Sequence, residues 1–314
     1  MDALLKPLAD TLAMAPPSKY CQAFFLAAAA SVLALQLLPR EARRTLTDYG
    51  ARRPRRASSP TSSRSRLASA LSELTAVGQV PHAYFWHFYL LSTGLSALWM
   101  WQFITRGSVV SFIAERQVSL SGEASAAAGR VFLAWLMMAA QGGRRLYECF
   151  WVLKPGRTPM WWVHWALGLG FYAAMSVSVW VEGARAMLGP WQACATDMRL
   201  TARELLTLAV FLGAWFEQHR CHRYLASLRK YSLPEGGLFK HIVCPHYTSE
   251  CVVYLAISIM AAPPGNAFNV SVLCGLAFVV ANLGSTAHGT KEWYAGEFGA
   301  DKVGSKWRMI PGVF

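Results

Sequence analysis

The sequence predicts an all-α fold, a polytopic membrane bundle of about seven transmembrane helices. Of the 314 residues, 54% are hydrophobic and 13 are Trp, and the mean hydropathy is +0.28, too apolar for an ordinary soluble domain. Apolar runs of membrane-spanning length recur along the chain. The formal charge of +13 is concentrated in the connectors between these runs, which indicates membrane topology and argues against nucleic-acid binding.

The first span is predicted over residues 20–38, after a short polar lead. A bilayer core of roughly 30 Å needs about 20 helical residues, and this run is close to that length. Basic residues follow the run instead of preceding it, so we expect an anchor and no cleavable signal peptide. Residues 39–66 are rich in Arg, Ser and Pro and predict a mobile connector. The expected domains are residues 1–82, which hold the anchor and the connector, and residues 83–314, which are embedded in the membrane.

Six further apolar runs complete the predicted bundle. They cover residues 83–104, 129–153, 160–181, 201–216, 248–262 and 268–284. If the Arg-rich connector is cytosolic, alternation also places the basic stretch 220–240 and the C-terminus in the cytosol. The connectors on the other side are nearly neutral. The chain therefore predicts an N-terminus outside the cytosol and a C-terminus inside it.

Residues 217–250 are a polar, basic stretch between apolar runs. They carry Arg220, Arg223, Arg229, Lys230, Lys240 and four histidines. A simple connector does not need so many cations, so we expect an anionic group to bind here.

Arg144 and Arg145 lie inside an apolar run, where ionisable side chains are costly and usually face a cavity or a partner. Glu148 is one turn further on and can pair with either of them by helical spacing. A structural ion pair is therefore the alternative to a binding role for these residues.

Several separated motifs occur in order along the C-terminal part of the chain. QGGRRLYECFWV spans 141–152, the basic stretch contains LRKY, LPEGGLF and PHYTSE, and TKEWYAGEF and SKWRMIPGVF lie near the end. Together they resemble the steroid 5-alpha reductase family, most closely its polyprenol (polyprenal) reductase branch. VPHAYFWHFY in the N-terminal third is similar to that branch, and the Gln–Glu pair of steroid-handling members is absent from that helix.

The resemblance implies NADPH-dependent reduction of a carbon–carbon double bond in a seven-helix bundle with a cytosol-facing cofactor cavity. Residues 83–314 would be the reductase domain, with the NADPH-binding part near its C-terminal end. The expected cofactor-binding residues are Arg145, Glu148, His222, Arg229, Tyr231, His246, Glu250, Tyr294, Lys306 and Arg308. His246 stands where the family often has Asn. The family's Tyr–Pro pair is absent from the tail, and Lys306 replaces an Arg, for which Arg308 can compensate. The surplus of cations fits NADPH better than NADH because of the additional phosphate.

The chemistry of hydride addition narrows the substrate. An allylic aldehyde can receive the displaced charge on its oxygen, whereas an allylic alcohol has no such acceptor, so polyprenal is the expected substrate. A donor must reach the aldehyde oxygen, and the catalytic candidates are His87, Tyr89 and Tyr84. We rank His87 first, because a histidine within a span needs a polar partner. The alternative is that these residues belong to an interfacial aromatic belt.

Four other patterns carry less weight. Gly168, Gly170 and Ala173 match GxGxxA, but they lie in an apolar helix with no preceding strand, so close helix packing is the better interpretation. His219, Cys221 and His222 resemble metal ligands, but a structural zinc needs a fourth ligand and a His pair amid arginines is a poor cation site, so no metal is expected. The sequon at Asn269 lies at the edge of a span, where we expect it to be inaccessible to glycosylation. The seven cysteines show no CxxC pair or framework spacing, so disulfides are not expected to shape the fold.

Three functions remain open at this point. The resemblance implies a polyprenal reductase of the endoplasmic reticulum membrane that acts in dolichol biosynthesis and supports protein N-glycosylation. A steroid or enoyl-lipid reductase of the same chemistry is the second possibility, and a membrane transporter or scaffold is the third. The absence of internal repeats in the sequence argues against transport. The expected partners are a long-chain isoprenoid and membrane lipids, with no obligate protein partner.

Overall fold

A computed structural model describes residues 14–47, 66–154, 159–190, 192, 200–229 and 232–314. Within these residues there are twelve α-helices. They are α1 (Pro17–Leu35), α2 (Arg40–Thr47), α3 (Arg66–Ala76), α4 (Trp86–Thr105), α5 (Ser108–Ser121), α6 (Ala128–Trp151), α7 (Trp162–Val181), α8 (Ala184–Leu188), α9 (Ala202–Ser227), α10 (Pro245–Met260), α11 (Val270–Phe298) and α12 (Asp301–Gly304).

Two short strands interrupt the helical architecture. β1 (Gln79–Pro81) pairs antiparallel with β2 (Pro159–Trp161), and Val80 lies opposite Met160. The pairing fixes the entrance to α4 beside the entrance to α7. The all-α expectation is thus confirmed for the architecture, with this ribbon as a small addition.

Each of the seven predicted spans overlaps a helix, and three of the helices in the described part of the chain are long and apolar enough to cross a membrane. These are α1, α7 and α11. A continuous helix satisfies its own backbone hydrogen bonds, as a segment in lipid must. The chain is therefore a membrane-protein candidate with several long apolar helices, and the number of seven spans stays a prediction.

The helices differ from the predicted runs at several boundaries. Residues 40–47 form α2, although the Arg-rich connector was expected to be mobile throughout, and residues 48–65 lie outside the described part of the chain. α5 was not predicted. α9 continues eleven residues past Phe216, and α11 continues to Phe298, because polar and charged residues with good helix propensity follow each apolar run. The polar half of each of these two helices carries a predicted cofactor-binding residue, His222 on α9 and Tyr294 on α11.

α1 packs along α11, and two side-chain hydrogen bonds join the two helices. Gln22 donates to Ser271 at 3.1 Å, and Gln36 donates to Ser285 at 2.6 Å. Between these bonds, Gly275 brings α11 close to α1 and α7, since a Cβ at this position would collide with Met175 and crowd Phe25. α1 is therefore packed into the helical bundle.

Close packing also explains the GxGxxA pattern. A Cβ on Gly168 would lie 2.7 Å from the Phe88 ring, and one on Gly170 would lie 3.1 Å from Phe24. The two glycines therefore allow α7 to approach α4 and α1. This supports the packing interpretation of the pattern.

The N-terminus of α11 is capped by a buried carboxylate from another helix. Glu182 accepts hydrogen bonds from the backbone N–H groups of Val270 (2.9 Å) and Ser271 (2.6 Å) and from the Ser271 hydroxyl. Asn269 is fully buried and accepts from the Val272 N–H at 2.8 Å. Its burial agrees with the expectation that the sequon is inaccessible, and the cap ties α7 to α11.

We predict that Glu182→Ala destabilises the fold by about 1–3 kcal/mol, because two helix N–H groups lose their partner in a buried place. The matched control is Glu123→Ala, which removes an exposed carboxylate from the connector before α6. The measurement is thermal unfolding in detergent for the two variants. Equal midpoints would show that the cap contributes nothing to stability.

Candidate active site

Glu148 on α6 is a fully buried carboxylate that contacts four basic side chains. One oxygen accepts from Arg144 at 2.8 Å and lies 2.7 Å from His219 Nδ1. The other accepts from Arg145 and lies 2.7 Å from His222 Nδ1. The carboxylate therefore has partners on both of its oxygens.

Helical spacing explains this convergence. Arg144 and Arg145 precede Glu148 by four and three residues, so all three project from one face of α6. His219 and His222 are three residues apart on α9 and lie on one face of that helix. The two faces meet at the carboxylate, which is the arrangement that the structural ion-pair alternative requires.

Arg145 also connects Glu148 to Tyr89. Its Nη2 donates to the Tyr89 hydroxyl oxygen at 2.7 Å, and its guanidinium carbon lies 4.7 Å from the centre of the Tyr89 ring. Because the phenol oxygen accepts this bond, the phenol hydrogen is available to donate to another oxygen. Tyr89 is thus a buried, oriented hydrogen-bond donor.

A network of amides continues from Arg144 to the second carboxylate of the site. Arg144 donates to Gln141 Oε1 at 2.7 Å and to Gln218. Gln141 donates to Glu250 at 3.2 Å, and Gln218 donates to the same Glu250 oxygen. The predicted residues Arg145, Glu148 and Glu250 are thereby linked through side chains of α6, α9 and α10.

His222 is buried and His246 is partly buried, and both lie outside the predicted spans 201–216 and 248–262. Burial, with a contribution from Arg145, lowers the pKa of His222 to about 4. Burial also lowers the pKa of His246 well below its usual value, and His222 acts in the same direction. Both imidazoles are therefore neutral at pH 7, and their rings lie 5.5 Å apart.

The C-terminal tail is attached beside these histidines. Trp307 N–H donates to the His241 carbonyl at 2.8 Å, and the N–H groups of Val243 and Cys244 donate to Trp307 and Arg308 carbonyls. Arg308 donates through Nε to His288 at 3.1 Å. Three residues of the segment 241–244 thus bind the tail, and the last of them, Cys244, is two residues before His246.

The turn that carries LPEGGLF is held by an aromatic residue of α9. Tyr224 accepts hydrogen bonds at its hydroxyl from the N–H groups of Glu235 (3.2 Å) and Gly236 (2.8 Å). A Cβ on Gly236 would lie 2.8 Å from the Tyr224 ring, so this close approach requires glycine. Lys306 donates to the Pro234 carbonyl at 3.3 Å, which joins the turn to the tail.

The remaining predicted residues have different surroundings. His87 accepts a hydrogen bond from the Trp165 indole at 3.2 Å, and its ring centre lies 4.5 Å from that of Tyr84. Among the described residues, His87 and Tyr84 have no hydrogen bond to Arg145. Arg229 is exposed, and Tyr294 packs beside Val243 and Cys244. Tyr231 lies outside the described residues.

Sequence reasoning missed several members of the site. His219 was considered as a metal ligand and not as a partner of Glu148, although its spacing from His222 indicated a shared face. Gln141 opens the QGGRR motif, which was a usable signal. Gln218 gave none, because its role depends on the packing of α9 against α6 and α10.

The donor set is compatible with a nicotinamide cofactor. His246 Nδ1 and the Nε atoms of Arg144 and Arg145 are buried without a hydrogen-bond partner among the described residues. Buried polar atoms of this kind are costly unless a ligand or water satisfies them. With the basic residues of the tail, the site offers neutral imidazole and amide groups beside cations, as a cofactor with a carboxamide and phosphates requires.

Comparison with known proteins shows similarity to reductases. Residues 170–314 match the family model described as 3-oxo-5-alpha-steroid 4-dehydrogenase. Polyprenal reductase of Saccharomyces cerevisiae is 27% identical over 233 residues, which cover 74% of each chain. Polyprenal reductase 1 of Arabidopsis thaliana is 29% identical, covering 75% of this chain and 82% of its own. Polyprenal reductase 2 of Oryza sativa subsp. japonica is 27% identical over 86% and 88%. These matches confirm the resemblance that the motifs predicted.

We predict that Glu148→Gln lowers the free energy of unfolding by about 3–5 kcal/mol, because two buried guanidinium groups lose their counter-charge. The control is Glu217→Gln, whose carboxylate pairs with the largely exposed Arg220 and should contribute less than about 1 kcal/mol. Thermal unfolding of the purified variants compares the two. A Glu148 variant as stable as the Glu217 variant would contradict the structural role assigned to this carboxylate.

Proposed function

We propose that this protein catalyses NADPH-dependent reduction of the α-isoprene double bond of polyprenal. The basis is the similarity of the chain to the steroid 5-alpha reductase family and to proteins named polyprenal reductase. The product would be the saturated aldehyde on the way to dolichol, the lipid on which N-glycosylation depends. The three relatives described above, each named polyprenal reductase, align with about three quarters or more of this chain, which supports the substrate class.

The observation that carries this proposal is the bond from Arg145 to Tyr89. It leaves the phenol hydrogen directed away from the guanidinium, in a buried place where a hydrogen bond to developing charge is strong. An enal needs such a donor, because hydride addition moves negative charge onto its carbonyl oxygen. Glu148 holds Arg145, and Arg145 in turn holds Tyr89.

The chemistry follows from these positions. NADPH supplies a hydride when it is bound. The enal accepts the hydride at its β-carbon, the π electrons of the double bond shift towards the carbonyl, and Tyr89 transfers its proton to the carbonyl oxygen. Arg145 stabilises the negative charge left on the Tyr89 oxygen. The resulting enol becomes the saturated aldehyde when its α-carbon takes a proton from solvent and its hydroxyl returns a proton to Tyr89.

The residues that would hold the cofactor are those of the connected network and the tail. Glu250 and His246 would face its carboxamide, and Lys306 and Arg308 would face its phosphates, because carboxylate and imidazole accept and donate to amides whereas cations offset phosphate charge. Glu148 and His222 would act by fixing Arg145. Arg229, Tyr231 and Tyr294 remain cofactor-binding proposals from the family motifs.

We place the protein in the endoplasmic reticulum membrane as a multi-pass protein, with the N-terminus lumenal and the C-terminus cytosolic. Arg40 at the start of the Arg-rich connector pairs with Glu292 near the C-terminus at 3.3 Å. This pair supports the expectation that the connector and the C-terminus share one side of the membrane. A cytosolic C-terminus would give the site access to NADPH.

A second candidate is reduction of a steroid enone, which the description of the matching family model favours. The discriminating experiment offers the purified protein NADPH with polyprenal, polyprenol, a 3-oxo-4-ene steroid or an enoyl-CoA. We expect the highest kcat/KM with polyprenal and little reduction of the alcohol, which lacks a charge acceptor. A higher kcat/KM with the steroid would make it a steroid reductase instead.

We predict that Tyr89→Phe lowers turnover at saturating NADPH by about 10²- to 10⁴-fold, because the proton donor is removed. NADPH affinity should change by less than about threefold, since the lost interaction matters chiefly in the transition state. Single-turnover rates and equilibrium binding of NADPH measure the two effects separately.

The matched control is His87→Ala on the same helix. His87 accepts from Trp165 and has no bond to the Arg145 network among the described residues, so its loss should reduce turnover by less than about tenfold. The opposite order, with His87→Ala inactive and Tyr89→Phe active, would assign proton donation to His87.

A further inference from the structure

A cavity with an apolar wall lies where α4 and α7 end and α6 begins. It contains about 360 Å³ of space, part of which is open to the surroundings of the protein. Four helices line it, with Trp99 and Met100 on α4, Phe132 and Trp135 on α6, Trp180 on α7 and Met187 on α8. The residues assigned to the proposed reaction do not line this wall, so the cavity is separate from the network around Glu148.

Hydrogen bonds between helices fix the indole rings of the wall. Trp99 Nε1 donates to Ser176 Oγ on α7 at 3.0 Å, and Trp135 Nε1 donates to the Ser96 carbonyl on α4 at 3.0 Å. The Trp99 and Trp180 rings meet edge to face at 5.4 Å. The accessible surface of the wall is therefore carbon. An occupant of such a wall is a hydrocarbon, because a buried polar group would find no hydrogen-bond partner there.

The cavity lies on the same pair of helices as the proposed proton donor. Arg145 of α6 binds Tyr89 of α4 at one end of the pair, and Trp135 of α6 binds the α4 backbone nearer to the other end. Met100 follows Tyr89 by three helical turns, which places it on the same face of α4 and about 16 Å further along. A molecule held at Tyr89 can therefore reach the cavity by extending along these two helices.

The contact line between α4 and α6 is closed, so an extended molecule has to lie beside it. A Cβ on Gly142 would lie 2.8 Å from Ser92 Oγ, which shows how closely the two helices approach. Helical spacing places Thr93, Ala139 and Gly143 at the partly exposed side of this line. A Cβ on Gly143 would have no neighbour within 4 Å. These small side chains leave a shallow groove that leads from the level of the proton donor to the cavity.

The charges of the site decide the direction in which an isoprenoid can extend. Arg144, Arg145 and Glu148 occupy one end of α6, and the cavity lies at the other end. A hydrocarbon chain among buried charges would displace the groups that pair with them. Against Trp, Phe and Met, the same chain is stabilised by burial and dispersion. An isoprenoid whose aldehyde lies at Tyr89 therefore extends its tail towards the cavity.

We propose that the cavity binds the isoprene units that follow the reacting unit of the substrate, and that it makes the protein prefer long isoprenoid aldehydes to short enals. This inference rests on the proposed function. The tail of a long substrate gains binding free energy at the cavity that a short enal cannot gain, so the long substrate has the higher kcat/KM.

The kinetic test compares citral, an enal of two isoprene units, with geranylgeranial, which has four. Wild type should prefer geranylgeranial at least tenfold in kcat/KM. Ala128→Phe and Ala186→Phe each place a ring in the cavity, since both alanines line it. Each variant should lower kcat/KM for geranylgeranial about tenfold or more, chiefly by raising KM, and change the value for citral less than about twofold. Ala140→Phe, at an exposed position of α6 outside the cavity, is the matched control and should leave both values unchanged.

A second measurement requires no turnover. Geranylgeraniol with a diazirine at its ω-end is photolysed with the full-length protein in nanodiscs, and mass spectrometry identifies the labelled residues. We expect the label on residues of the wall such as Phe132 and Met187, and its loss in Ala128→Phe. Unlabelled geranylgeraniol should compete with the label, and oleyl alcohol, an unbranched chain, should compete at least tenfold less well.

Thermal midpoints of all variants detect misfolding, and the labelling of wild type does not depend on them. The inference is overturned if both cavity variants keep the preference for geranylgeranial, or if the label lies outside the wall. It is also overturned if oleyl alcohol competes equally, because the cavity would then hold any membrane lipid. Labelling of the wall in a protein that reduces neither enal would refute the proposed reaction and leave the hydrocarbon site standing.

Discussion

Burying a carboxylate costs several kcal/mol unless cations and hydrogen bonds offset the lost hydration, and Glu148 meets that requirement with partners from two helices. The arrangement of the site depends on this constraint. Arg144 and Arg145 cannot turn away without leaving the charge uncompensated, so both guanidinium groups are fixed. Arg145 then positions Tyr89, and Arg144 positions the amides that bind Glu250. The same contacts therefore form a structural ion pair and hold the residues of the proposed site.

The bundle contains two charge centres of different character. Around Glu148, two arginines face two carboxylates and the histidines His222 and His246 are neutral, so charge is nearly balanced where a neutral carboxamide and an enal would lie. Around His288, Arg308 donates to the imidazole and the neighbouring Glu292 pairs with Arg40. The strapping of α1 along α11 contributes to the second centre, because it brings the start of α2 beside Glu292. The N-terminal helix thus helps to place α2 against α11.

The sequence was sufficient to predict the helical bundle, the basic stretch and the family-like motifs, because these depend on composition and local spacing. Arg145 and Glu148 were found because three residues of one helix turn necessarily meet. It was not sufficient for Gln218, whose contacts depend on how α9 packs against α6 and α10. The ends of α9 and α11 were also missed, since hydropathy marks where an apolar run stops and a helix continues through polar residues. The ranking of His87 above Tyr89 followed from side-chain type. The structure shows that Arg145 donates to the Tyr89 hydroxyl, a contact that side-chain type alone could not predict.

The central claim is that Glu148, Arg145 and Tyr89 act as one unit in proton donation. A double-mutant cycle with Glu148→Gln and Tyr89→Phe, measured as kcat at saturating NADPH, tests it most directly. If Glu148 acts on turnover through Tyr89, the double variant should be no slower than Tyr89→Phe alone, to within about threefold. If the two losses multiply instead, Glu148 affects catalysis by a separate route and the account of a single fixed donor is wrong.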